Sequence, residues 1–225
     1  MLKASTLKFL KDLDKNNNKP WFDANRSRYE EAKADFSSFV QKVIDQHGKK
    51  DAGIKNLVAK DTLFRINRDV RFSKNKAPYK NNMGASINKG GKKSNFSAGY
   101  YIHLQPGAAF TGGGIWMPEP NDLKKVRQEI DYNLKSFTKL LTAPAFRKVY
   151  KDLSRDKEYL LSRVPKGYEA DNPAAEYLKF KSYVAMVPLT DADLTGPNLV
   201  KKVVTAFAAL QPLIEFVNQS ISDEH

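Results

Sequence analysis

Cysteine is absent from the 225-residue sequence. Its absence excludes disulfides, thiolate metal sites and thiol nucleophiles. Histidine is scarce: His47, His103 and His225 lie far apart and no HExxH pair occurs, so no metal centre is expected. Gly84 and the run Gly90-Gly91-Lys92-Lys93-Ser94 lack the GxxxxGK(S/T) spacing of a phosphate loop, and no GxSxG elbow is present. No window approaches the roughly 18 uncharged apolar residues of a membrane span, so no membrane partner is expected. The opening stretch, MLKASTLKFLKDLDKN, is charged every few residues. That is incompatible with a secretory h-region and points to the cytoplasm. Repeats and low-complexity tracts are missing too.

Acidic residues are missing in one place in particular. The formal net charge is +13, yet residues 60–93 alone carry ten basic and two acidic groups. Residues 94–118 carry no Asp, Glu, Lys or Arg, and residues 191–225 are net acidic. A localised basic patch says more about a partner than a uniformly basic surface, which often serves only solubility.

Enough apolar residues are present to build a real core, including 13 Phe and 10 Tyr. Leu7, Leu10 and Leu13 recur at helical spacing behind Ser5 or Thr6 as a cap. Phe22, Tyr29, Ala32, Phe36, Val40 and Val43 form a second stripe from Trp21 to His47. Residues 63–72, 83–88 and 96–104 read as strands, the last two joined by a Gly90-Gly91 turn. A further strand at 108–116 is broken by Gly112, Gly113 and Gly114, and 182–189 is a candidate to return to the sheet. Leu123, Val126, Ile130 and Leu134 mark a helix. Another runs from Leu199 through Val217, with Pro212 expected to kink or split it. The expected fold class is α+β: a central, mostly antiparallel sheet at about 63–116 between N-terminal and C-terminal helices. Residues 1–225 read as a single domain, with helix-rich 119–225 as a candidate subdomain.

The chemistry concentrates in LFRINRDVRFSKNKAPYK, residues 63–80. Read as a strand, it sets Phe64, Ile66, Val70 and Phe72 on one face with Arg68, and Arg65, Asn67, Asp69 and Arg71 on the other. Guanidinium groups are forked, permanent cations suited to carboxylate and phosphate oxygens. One acid cannot neutralise three arginines, so other acids or a bound anion must complete the cluster. Arg65, Arg71, Lys76, Tyr79 and Lys80 are the candidate anion-binding residues. Gly112, Gly113 and Gly114 are candidates for an anion nest, and read also as a packing bulge beside Trp116 or a close approach by another backbone or a ligand. Arg68 and Asp69 are the structural candidates. For proton transfer the candidates are His103, Asp69 and Tyr79.

The stretches FxxNRxRYEEA (Phe22, Asn25, Arg26, Arg28, Tyr29), RINRDVRFSKNKAPYK, YYIHLQPG, GGGIWMP and LKKVRQEI resemble an uncharacterised bacterial family of conserved hypothetical proteins, a domain of unknown function with an RDxRFxxxKxPYK signature. The resemblance implies one full-length domain and assigns no activity, substrate or cofactor.

Three readings follow. The first is a protein binding a phosphate-bearing small molecule or nucleic acid on a basic sheet-and-loop surface. The second is a metal-independent enzyme acting on a small anionic substrate, without a cofactor. The third is a structural or interaction protein whose Arg–Asp network only holds the fold.

Overall fold

Leu7, Phe9, Leu10 and Leu13 are buried along helix α1 (Ala4–Lys15). The helix starts one residue ahead of the expected Ser5 or Thr6 cap, so its N-cap is Lys3, which has no capping side chain; Asp35 Oδ2 instead accepts from the Lys3 N–H at 2.9 Å and from Thr6 Oγ1 at 2.6 Å. The structure is a computed structural model that describes residues 1–89 and 97–222. The expected Gly90-Gly91 turn therefore lies outside the described residues.

The stripe beginning at Trp21 occupies two helices, α2 (Lys19–Ala24) and α3 (Arg26–His47). Asn18 caps α2 by accepting from the Trp21 N–H, and Pro20 fits its first turn. Asn25 leaves helical geometry with φ −112° and ψ 19° and redirects the chain. Helix α3 then buries Ala32, Phe36, Phe39, Val40, Val43 and Ile44. A short α4 (Ala59–Thr62) follows.

Strands β1 (Met83–Ile87), β2 (Gly99–Leu104), β3 (Ala109–Ile115) and β4 (Tyr183–Leu189) form one antiparallel sheet in the order β1-β2-β3-β4. Strand β4 thus returns to the sheet, as the β-rich run predicts. Strand β3 is continuous through its glycines rather than broken by them. Along β2, Tyr100, Ile102 and Leu104 are buried, whereas Tyr101 and His103 are partly exposed.

The remaining helices are α5 (Pro120–Tyr132), α6 (Leu134–Thr142), α7 (Pro144–Tyr150), α8 (Ala175–Leu178), α9 (Asp191–Thr195) and α10 (Leu199–Ile221). Helix α10 runs through Pro212 as one element instead of splitting.

The chain falls into two compact units. The first comprises the described residues of Met1–Lys92, Tyr101–Thr111 and Pro188–Thr205. Its separate stretches are tied by Leu2 N–H to the Leu194 carbonyl and by Asp191, which accepts from Gly107 N–H and pairs with Lys11. The second comprises the described residues of Lys93–Tyr100, Gly112–Val187 and Ala206–His225. Tyr100 stacks on Phe207 within it, and Tyr150 donates its hydroxyl to the Ala206 carbonyl.

Candidate functional site

The site begins beneath Tyr79, in the first unit. Asn17 lies in the turn between α1 and α2, and its side-chain amide binds both backbone groups of Tyr79. It accepts from the Tyr79 N–H at 3.0 Å and donates to the Tyr79 carbonyl at 2.9 Å. This arrangement gives an extended segment the two bonds a neighbouring strand would supply. The Tyr79 ring is buried and stacks on Phe22, centroids 4.0 Å apart and planes 15° apart. Phe22 also contacts Tyr29, and Tyr29 contacts Phe9. Arg28 braces the cluster: it pairs with Asp12 at 2.6 Å, donates to Asn25 Oδ1, and lies over the Phe9 and Trp21 rings.

Residues 63–72 are not a strand of the sheet. Only Leu63 pairs with β1, opposite Ala85, and Phe64 N–H donates to the Gly84 carbonyl. The chain then folds back on itself. Asn67 pairs with Tyr79, Arg68 N–H donates to the Pro78 carbonyl, and Lys80 N–H donates to the Ile66 carbonyl. Residues 68–78 are thereby clasped into a loop. Of the four apolar side chains expected on one face, Ile66 is buried, Val70 is half-buried, Phe64 is 45% exposed and Phe72 is 95% exposed. The alternation failed as a guide because the segment meets β1 only at Leu63 and Phe64 among the described residues, and further on pairs only with its own return at 78–80.

Side chains hold the loop from within. Arg68, half-buried, donates to the Ala77 carbonyl at 3.0 Å and to Ser73 Oγ at 3.4 Å. Lys76 Nζ donates to the Val70 carbonyl at 3.0 Å. Asp69 receives Arg71 in a forked pair, Nε at 3.0 Å and Nη2 at 2.7 Å. Arg71's side-chain bonds, then its backbone N–H and the charge of Arg65, hold the Asp69 carboxyl below the usual carboxylate range. The pair is exposed rather than enclosed in a buried network. Arg71 also lies beside the Phe72 ring, 5.7 Å from its centroid. The tip therefore presents Phe72 between Arg71 and Lys74, with Lys76 nearby in sequence and all three cations exposed.

A groove of about 500 Å3 adjoins the base of this arm. Helix α3 supplies Tyr29, Glu30 and Lys33, α4 supplies Lys60, and the arm supplies Phe64 and Arg65. Gly84 lies in the groove wall, where a Cβ would come within 2.7 Å of Tyr101 Oη and 3.4 Å of the Phe64 ring. Glycine there leaves room for both rings. Lys80 is half-buried with its ammonium 5.5 Å from the Phe64 centroid. Burial, and then the positive charge of Arg65, lower its pKa below the ordinary lysine value. Arg65 has no ion pair among the described residues.

His103 lies along the sheet on the face of Tyr101. Its Nε2 is 3.0 Å from Gln105 Oε1, its Nδ1 is 3.4 Å from Tyr101 Oη, and its ring stacks on Phe110 at 4.7 Å. Among the described residues, no hydrogen bond, ion pair or ring contact joins any two of His103, Asp69 and Tyr79.

The three glycines of β3, in the second unit, face backbone. A Cβ on Gly112 would come within 2.1 Å of the Ala185 carbonyl oxygen, on Gly113 within 2.1 Å of Gly99 O, and on Gly114 within 2.0 Å of Tyr183 O. Close approach between strands accounts for them. Among the described residues no group of three or more His, Asp or Glu is placed to hold a metal, and no helix is long and apolar enough to cross a membrane.

A family model described as a conserved hypothetical protein, DUF2461, matches residues 5–216. The chain belongs to this family. Neither the comparison with curated proteins nor the comparison with solved structures finds a match. Within this DUF2461 chain, Phe22 stacks on Tyr79, far along the sequence in RINRDVRFSKNKAPYK, and Tyr29 packs on Phe22 in turn.

Sequence reasoning missed Asn17 and the groove residues Glu30, Lys33 and Lys60. The Asn16-Asn17-Asn18 run signals a helix end, and nothing in it specifies a partner 62 residues away. Lys33 and Glu30 read as an outward helix face, which they are; the groove exists because the arm lies beside that face.

Proposed function

We propose that this protein binds single-stranded nucleic acid through the arm at residues 63–80, with phosphates on Arg65, Arg71, Lys74 and Lys76 and a base on Phe72. One observation carries this reading: a phenylalanine 95% exposed at the tip of a loop that its own side chains hold in shape. Burying a phenylalanine returns on the order of 2 kcal/mol, so a fold that leaves it in water forgoes that gain. A base stacked on an aromatic ring recovers about 1–3 kcal/mol and requires no particular sequence. The flanking cations supply the backbone contacts, and the Asp69–Arg71 pair sets the guanidinium beside the ring. Support for a small-molecule enzyme is weaker, because among the described residues no hydrogen bond, ion pair or ring contact joins His103, Asp69 and Tyr79. Arg68, turned inward onto Ala77 and Ser73, serves the loop rather than the ligand.

Fluorescence anisotropy with a labelled oligothymidylate tests the proposal. Four phosphate contacts to a single strand predict an affinity loss of roughly fifty-fold between about 50 and 200 mM salt. Phe72→Ala is expected to weaken binding at both salts with the slope unchanged, and Lys74→Ala to flatten the slope. Undetectable binding at the lower salt, or binding indifferent to Phe72→Ala, defeats the reading.

A further inference from the structure

The groove beside α3 differs in chemistry from the loop tip, and we infer that it is a site for one nucleoside monophosphate, with Arg65 at the arm's base shared between the groove and the arm. The inference extends the phosphate chemistry of the arm but does not require the loop tip to bind a polymer. The groove, at about 500 Å3, falls within the range of small-ligand pockets. Its lining is mixed in a way that selects among phosphorylated compounds.

Of the three aromatic residues in the lining, Phe36 is buried, while Tyr29 and Phe64 come from different elements and Phe64 remains 45% exposed. A sugar phosphate has no planar apolar face to cover them, whereas a nucleobase does. Cations stand beside the rings: Arg65 on the arm and Lys33 on α3, whose ammonium lies 5.7 Å from the Tyr29 centroid. Arg65 is exposed and has no ion pair among the described residues, so its fork is available to a phosphate. Glu30 is the single carboxylate of the lining, held loosely at 3.5 Å from Lys33. A carboxylate is misplaced in a site for bare phosphate, but it accepts hydrogen bonds from ribose hydroxyls or an exocyclic amine.

Electrostatics at the arm's base favour occupancy by an anion. Lys80 and Arg65 are like charges close enough that the arginine disfavours protonation of the lysine, and Lys80 is also partly removed from water. A phosphate on Arg65 offsets that repulsion. Gly84 keeps the wall open, since any side chain there would press on the Tyr101 hydroxyl and the Phe64 ring.

Titration of the full chain with AMP, followed by calorimetry and by amide chemical shifts, tests the site. Adenosine, ribose 5-phosphate and inorganic phosphate serve as controls. AMP is expected to bind at least ten-fold more tightly than any control. Arg65→Ala and Phe64→Ala should each weaken it about ten-fold, with the melting temperature of Arg65→Ala confirming that the fold survives. Phe72→Ala should leave AMP affinity unchanged while weakening the oligonucleotide, which separates the groove from the loop tip. Three results overturn the inference: no AMP binding at millimolar concentration, equal binding of inorganic phosphate, or loss of AMP binding in Phe72→Ala.

Discussion

Individual glycines in this chain do different work, and their backbone angles and neighbours separate the cases. Gly114 has φ +119°, a conformation that L side chains rarely adopt, and a Cβ there would lie 2.0 Å from Tyr183 O and 2.9 Å from Val184 Cα. Both obstacles are backbone of the adjacent strand and cannot swing aside. Gly107 also has positive φ, +77°, yet no atom lies within 4 Å of the position its Cβ would take. Gly107→Ala should therefore cost about 1 kcal/mol, the left-handed penalty alone. Gly114→Ala adds steric conflict to strain and should cost roughly 3 kcal/mol or more. Urea unfolding of the two variants checks this, and equal losses would remove the distinction. The three-glycine run was visible in the sequence as a marker of either a bulge or a close approach by backbone or ligand. What approaches was not visible, because that depends on strands β2 and β4 flanking β3.

At the scale of elements, helices were legible and the arm was not. The stripes of α1, α3 and α5 follow from apolar residues three and four apart, a pattern that tertiary contacts only confirm. Residues 63–72 show an equally clean period of two, but an extended segment becomes a strand only where another backbone meets it. Here β1 meets only Leu63 and Phe64 among the described residues, and the rest is closed by its own return through Pro78 and Tyr79. Two side chains stand in for the missing ladder, Asn17 on Tyr79 and Arg68 on Ala77. Neither role is local in sequence, so neither could be read from it. Removing either should loosen the arm before it unfolds the protein. Asn17→Ala strands two backbone groups and is expected to cost about 1–3 kcal/mol. In both Asn17→Ala and Arg68→Ala, amide hydrogen exchange should quicken at residues 66–80 more than along α3. Uniform acceleration throughout the chain would show that the clasp is instead part of the global core.

For the whole molecule, acid should separate the two units. Five carboxyl groups held below the usual range, Asp12, Asp23, Asp69, Asp191 and Asp193, all belong to the first unit. Their causes are specific. Arg28 leads at Asp12, Lys19 at Asp23, Arg71 at Asp69, the Gly107 N–H at Asp191 and Lys202 at Asp193, where the pKa falls to about 2. A carboxyl whose folded pKa lies below its unfolded value contributes stability that is complete above the unfolded value, near 4. That contribution disappears as pH falls through the folded value. The stability tied to these groups is thus present at neutral pH and lost between about pH 4 and pH 2. One of them, Asp191, joins stretches distant in sequence, while Asp193 binds neighbours within ten residues. Asp191 ties Lys11 and Gly107 to the start of α9, and Asp193 closes the capping box with Thr190 while pairing Lys202. Protonation therefore releases connections between segments as well as individual charges. Meanwhile the protein's 38 lysines and arginines stay charged and lose their acidic counterparts, which adds repulsion. Hydrogen exchange followed from pH 6 down to about pH 2, corrected for the intrinsic rate, should show amides of α1 and α9 losing protection before those of α5 and α6. Added salt should delay the loss. If α5 and α6 open first, or if all four helices open together, these carboxylates do not set the acid limit of the fold.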